Sequence, residues 1–253
     1  MSHAPATFAA SPAPGAVGRK PLGLWIALGV VTLLIEAALS TIAFVTPPDV
    51  TLGIVQKIFY FHVGSAFGML LSMVTAAGLS LVDLWKPSDK IDAAARATLE
   101  VGVLFGAMVL ISGPLWARKS WGTYWTWEPR LTLSLLVELL AIAVLMIRGL
   151  AADARIGRRV GAAMAVMAAP ASALIHLAVK LWGGNHPTVL QGGGIQSAAM
   201  RAAFWLSVAG LLGMAAVLAA IRYRGLRLEQ KLAALELDAS AAQLRRARQG
   251  AHR

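Results

Sequence analysis

Six long apolar runs limit what this chain can become more than any other feature. They cover roughly Pro21–Val45, Ile58–Val82, Ala97–Trp116, Leu131–Ile147, Val160–Leu181 and Ala202–Ile221. The hydrocarbon core of a bilayer is about 30 Å thick, and about 20 helical residues cross it. With 58% hydrophobic and 14% charged residues, a soluble core of 253 residues could not hide this apolar surface. In lipid, only helices and closed barrels satisfy their own backbone polar groups. Unbroken runs, unlike ten-residue alternating ones, point to helices. The expected fold class is an all-α integral membrane protein, a six-transmembrane-helix bundle. The fourth run is the shortest, and its start extends to Pro129, since proline suits the first turn of a helix. The first run is too long for an ordinary signal peptide and is interrupted by Glu36, so it reads as a mature helix.

Three parts follow. Residues 1–20, rich in Ala, Pro, Ser and Gly, read as a disordered cytoplasmic tail. Residues 21–221 form the membrane domain. Residues 222–253 form a basic tail with Leu228, Leu232 and Leu235 at helical spacing. From Leu226 to Gln249 it reads as an amphipathic helix that lies on the membrane or pairs with a partner, or else as a solvated face.

The formal charge of +11 would suggest nucleic acid in a soluble chain. Assigned to alternating sides of the six spans, 17 Lys and Arg fall on the side of the termini and six on the other. Without the long C-terminal tail the count is still nine against six. The positive-inside rule therefore puts both termini in the cytoplasm, and topology accounts for most of the basic charge. Lipid is the expected partner of that charge, not nucleic acid. The chain has no cysteine, which excludes disulfides, thiolate metal sites and a thioether to a porphyrin. No phosphate-binding G-x-x-x-x-G-K-[ST] loop is present, so it does not read as an ATPase subunit.

Chemistry-bearing residues gather on the outer face. The stretch SWGTYWTWEPRLT, Ser120 to Thr132, joins the third and fourth runs. Trp116, Trp121, Trp125 and Trp127 fall within twelve residues, with Tyr124 among them. Interfacial anchoring explains one or two tryptophans per helix end. The alternative for this cluster is a platform for a flat apolar ligand, with Gly122 allowing close backbone approach. His62 near the start of the second run and His186 after the fifth reach the same face. Imidazole is the usual axial donor to haem iron, and two from distant elements could grip one iron. Lys57 and Arg130 flank them. Their readings are contact with lipid head groups or pairing with the two haem carboxylates. Glu128 either orients Arg130 or an indole N–H, or is a favourable charge at a helix start. His176 lies deeper, as an interhelical hydrogen-bonder or a ligand partner for His62. Glu36, Glu100 and Glu138 are intramembrane carboxylates without an evident partner.

The motif WGTYWTWEPRLT, together with FYFHVGSAF around His62 and LIHLAVKLWGGNHPTVLQGG around His176 and His186, resembles the tryptophan-rich haem-handling proteins of cytochrome c biogenesis. Within the CcmC/CcmF/CcsA group the chain is most similar to the CcmC family, from about Trp25 to Arg222. The usual motif has Trp at the place of Tyr124, Asp at Glu128 and Ala at Pro129. The resemblance implies haem b as cofactor, with His62 and His186 as axial ligands. It implies Trp116, Trp121, Trp125 and Trp127 as the platform, with Tyr124, Gly122 and Glu128 beside it, and Lys57 and Arg130 at the propionates. It further implies a bacterial inner-membrane protein presenting haem at the periplasmic face to the chaperone CcmE, together with CcmA, CcmB and CcmD. Such a protein reads as a haem delivery protein more than as an enzyme by itself. Three rival functions stay open at this point. One is a subunit of a CcsA-type haem lyase acting directly on apocytochrome. Another is a haem-b electron carrier ligated within the membrane. The third is a structural permease half whose tryptophans form an interfacial belt.

Overall fold

The computed structural model describes residues 22–186, 195 and 197–251. The N-terminal tail expected to be disordered lies outside the described residues. Six helices, each long and apolar enough to cross a membrane, make up the described chain. They are α1 (Leu22–Ser40, continued by a wider turn over Thr41–Val45), α2 (Ile58–Trp85), α3 (Asp89–Trp121), α4 (Pro129–Leu150), α5 (Ala154–Trp182) and α6 (Ala198–Ala251). The chain is a multi-pass membrane protein, all-helical as its apolar runs require.

Local chemistry sets the helix ends. Gly122, at φ +78°, stops α3 in the left-handed region that glycine tolerates. Pro129 opens α4, where its missing N–H has no helical partner. Asp153 caps α5 by accepting from the Arg155 and Ile156 N–H groups at 2.7 and 3.2 Å. Two helices outrun their apolar windows the furthest. α3 continues to Trp121, so Trp116 and Trp121 stand on its last turns and the connection shrinks to 122–128. α6 runs unbroken through the basic tail, because that tail is made of helix formers without proline.

α2 is the central helix, packed along α3 and touching α5 and α6, while α4 pairs with α5 and α1 with α6. The main core joins Met69 and Met73 of α2 to Phe105 and Val109 of α3, Val137 and Val144 of α4 and Ile175 of α5. Small residues allow the close crossings that membrane helices use instead of a hydrophobic drive. A Cβ at Gly64 would come within 2.6 Å of Leu211 on α6.

The end of the bundle away from the tryptophans is closed by ion pairs. Arg158 of α5 donates to Asp83 of α2 at 2.5 and 2.8 Å and to Asp89 of α3 at 2.9 Å. Arg148 of α4 pairs with Asp92 of α3. Glu100 of α3 accepts from Arg96 and from Arg222 of α6. Glu100, read from sequence as partnerless, therefore has two cations.

Candidate ligand pocket at the tryptophan end

A cavity opens between α2, α3, α4 and α5 at the tryptophan end, lined mostly by apolar and aromatic side chains as ligand sites are. Its floor is apolar: Ala66, Met69, Leu70, Val109, Leu110 and Ile175. Pro114 and Gly113 line one wall, and the proline removes one rung of the α3 hydrogen-bond ladder there.

His62, one turn into α2, faces this cavity, and so does His186, which follows α5. Their ring centroids are 6.3 Å apart and the rings are inclined by 41°. Trp121 meets His186 edge-on at 6.0 Å and Trp116 at 5.8 Å, so the indoles brace one imidazole. Trp125 and Arg130 complete the rim. Of the residues singled out from sequence, His62, His186, Trp116, Trp121, Trp125 and Arg130 are brought together. Five others do not line the cavity, and Glu128, described below, is one of them. Trp127 packs on Trp125 at 5.8 Å but is largely exposed. Tyr124 lies under the Arg118 guanidinium, 5.7 Å from its ring centre. Gly122 ends α3. Lys57 donates to the Ala43 carbonyl at 3.1 Å. His176 is on the exposed face of α5, one residue from the cavity-lining Ile175.

Glu128 stands behind His186. One carboxylate oxygen accepts the Asn185 N–H at 2.6 Å, and the other is 3.8 Å from His186 Nδ1. A Cβ at Gly184 would come within 2.8 Å of the same carboxylate, so glycine lets the segment close over it. Thus Glu128 fixes the chain that carries His186, a role the sequence left open. Burial holds the His186 imidazole well below its usual range, down to about 3, and the Arg130 and His62 charges reinforce this. The ring is neutral at physiological pH, with a lone pair free for a metal.

Sequence reasoning missed Ser112 and Gly113. Ser112 contacts His62 Nδ1 at 3.0 Å, and a Cβ at Gly113 would sit 3.1 Å from His62 Cε1. The only signal was spacing, since Ser112 precedes Trp116 by one helical turn. Gly113→Val is expected to push the His62 ring aside and cost about 1–3 kcal/mol of stability. Thermal unfolding in detergent checks it; an unchanged midpoint would mean the ring has room to retreat.

The donor set suits a metal already held in a plane. Among the described residues no group of three or more His, Cys, Asp or Glu could hold a bare ion. Two imidazoles would instead complete the coordination of a metal whose other donors come from a macrocycle. The rings of His62 and His186, 6.3 Å apart between centroids, are close enough to serve one such metal. Moreover, Trp116 Nε1 and Trp125 Nε1 are buried donors without a partner. With Arg130 they form a set of donors able to receive carboxylate oxygens. The residues present fit a haem.

A match to the family model described as CcmC, heme exporter protein C, spans residues 9–238. The chain belongs to the CcmC family. It is 28% identical over 205 residues to the heme exporter protein C of Escherichia coli K12, covering 80% of this chain and 82% of that one. Against the heme exporter protein C of Bradyrhizobium diazoefficiens it is 31% identical over 167 residues, covering 64% and 61%. A putative cytochrome c biosynthesis ccmC-like mitochondrial protein of Marchantia polymorpha is 28% identical over 128 residues, covering 51% and 56%. The match includes all of the cavity-lining residues and runs through most of the C-terminal helix, so the CcmC likeness is not confined to the tryptophan motif.

Proposed function

We propose that this chain binds haem b at the periplasmic face of the bacterial inner membrane and hands it on during cytochrome c maturation. The observation that carries the reading is the pair of imidazoles 6.3 Å apart across an apolar, indole-walled cavity. His62 and His186 would hold the iron. Trp116, Trp121 and Trp125 cover the ring and exclude water. Arg130 pairs with a propionate, and Glu128 keeps the His186 segment in place. When bound, haem supplies the iron redox chemistry and the reactive porphyrin edge; the protein supplies position and ligand field. Both termini lie in the cytoplasm on the Lys/Arg asymmetry, which puts the cavity outside.

CcmE is the proposed acceptor, with CcmA, CcmB and CcmD as companion subunits, by likeness to the family. The outward-facing side of His176 weighs against an intramembrane haem-b carrier ligated by His62 and His176. Purified protein is expected to titrate with haem to a low-spin, two-imidazole absorption spectrum. Protein that stays colourless, or whose bound haem lacks the low-spin bands, overturns the reading. Mixing with apo-CcmE should transfer the haem; transfer only to apocytochrome would favour the lyase reading instead.

Arg130→Gln removes a charge-assisted pair with about 1.5–3 kcal/mol at stake, or about ten- to a hundredfold in affinity. Haem with both carboxylates esterified should bind the variant and the natural protein alike. An equal loss for acid and ester would place Arg130 in packing, not in carboxylate recognition.

A further inference from the structure

We propose that Ser112 is a positioning residue that fixes His62 in the tautomer with its proton on Nδ1. The inference rests on the reading of His62 as an iron ligand, but its first test does not. A serine hydroxyl has one proton to donate. Ser112 Oγ lies 2.6 Å from the Met108 carbonyl oxygen one turn back on α3. A carbonyl only accepts, so the hydroxyl proton is committed to it. The same oxygen lies 3.0 Å from His62 Nδ1. With its proton spent, Ser112 can meet that nitrogen only as an acceptor, so Nδ1 carries the hydrogen. The neutral ring then has its lone pair on Nε2. Gly113 leaves the ring just enough clearance to take this pose, with 3.1 Å between a hypothetical Cβ and Cε1.

Three groups thus form one polarised line: His62 N–H donates to the Ser112 hydroxyl, which donates to the Met108 carbonyl. The line begins on α2 and ends in the backbone of α3. It ties the ring direction of one helix to the main chain of its neighbour. An acceptor behind the distal nitrogen fixes a metal-bound imidazole's orientation and strengthens it as a donor; removing such an acceptor typically costs 10–100-fold in metal affinity.

Threonine and valine at position 112 have the same shape and differ only in the hydroxyl, so they separate the hydrogen bond from packing. Histidine-selective ¹⁵N spectroscopy of the haem-free protein at neutral pH reads the tautomer directly, with His62→Ala assigning the resonance. The Nδ1–H form should dominate in the natural protein and in Ser112→Thr, and the Nε2–H form in Ser112→Val. An Nε2–H form in the natural protein, or no difference between Thr and Val, overturns the proposal whether or not haem binds. In haem titrations Ser112→Val should bind about tenfold or more weakly than Ser112→Thr, with a higher reduction potential because its imidazole is a poorer donor to ferric iron. Equal affinities and potentials for Thr and Val would also overturn it. Failure of the haem reading shows separately, as natural protein that gives the expected tautomer and takes no haem.

Discussion

Replacing His62 or His186 with alanine is expected to weaken haem binding by about a hundredfold or more, whereas His176→Ala leaves it within about twofold. Loss of the groups that merely orient a ligand costs 10–100-fold, so loss of a ligand itself should cost at least the upper figure. Each alanine also opens a gap where an imidazole stood, in a wall that is mostly apolar. Added imidazole should therefore restore the low-spin bands in either variant, which a misfolded protein could not do. The measurement is a haem titration followed by absorption, with and without imidazole. Equal losses from His176→Ala and none from His186→Ala would break the ligand assignment and revive a site between the helices.

The second large effect lies at the other end of the bundle. Asp83→Ala is expected to cost about 1.5–3 kcal/mol, because the Arg158 guanidinium loses its two hydrogen bonds to Asp83 and keeps only Asp89 and Asp92 beside it. Asp83 is only 4% exposed and accepts two of Arg158's hydrogen bonds, so water cannot replace it. At about 2–4 °C per kcal/mol for a chain of this size, the unfolding midpoint should fall by about 3–12 °C. Joint replacement, Asp83→Ala with Arg158→Met, removes the stranded charge as well and should recover much of the loss. If the double variant is as unstable as the single one, the pair contributes through packing alone. Haem titration of the single variant at low temperature should be near normal, since the cavity is at the opposite end of α2.

The six spans were legible because lipid leaves the backbone no other choice. Their ends were less so, since helix propensity and caps decide them, not apolarity. The third run looked finished at Trp116, yet α3 continues to the glycine at 122 and takes Trp121 out of the connecting stretch. His62 and His186 could be named from residue type and topology, but their separation could not, as 123 residues lie between them. Lys57 and Arg130 looked equivalent from sequence. Only the fold separates them, because the Lys57 ammonium is taken by a carbonyl at the end of the first span. Ser112 gave no signal of its own: a serine inside a helix ordinarily bonds back to its own turn, which it also does here.

The last helix has a mechanical consequence. Its 54 residues amount to about 81 Å at 1.5 Å per residue, against a hydrocarbon layer of about 30 Å. Even with head groups included, a rod of several turns is left standing clear of the lipid. It is stiff, since no proline interrupts it, and Arg222 clamps its base to α3 through Glu100. A rigid spar rooted in this way sets a minimum reach: whatever grips its tip is held away from the bilayer, and any tilt there is felt at its root.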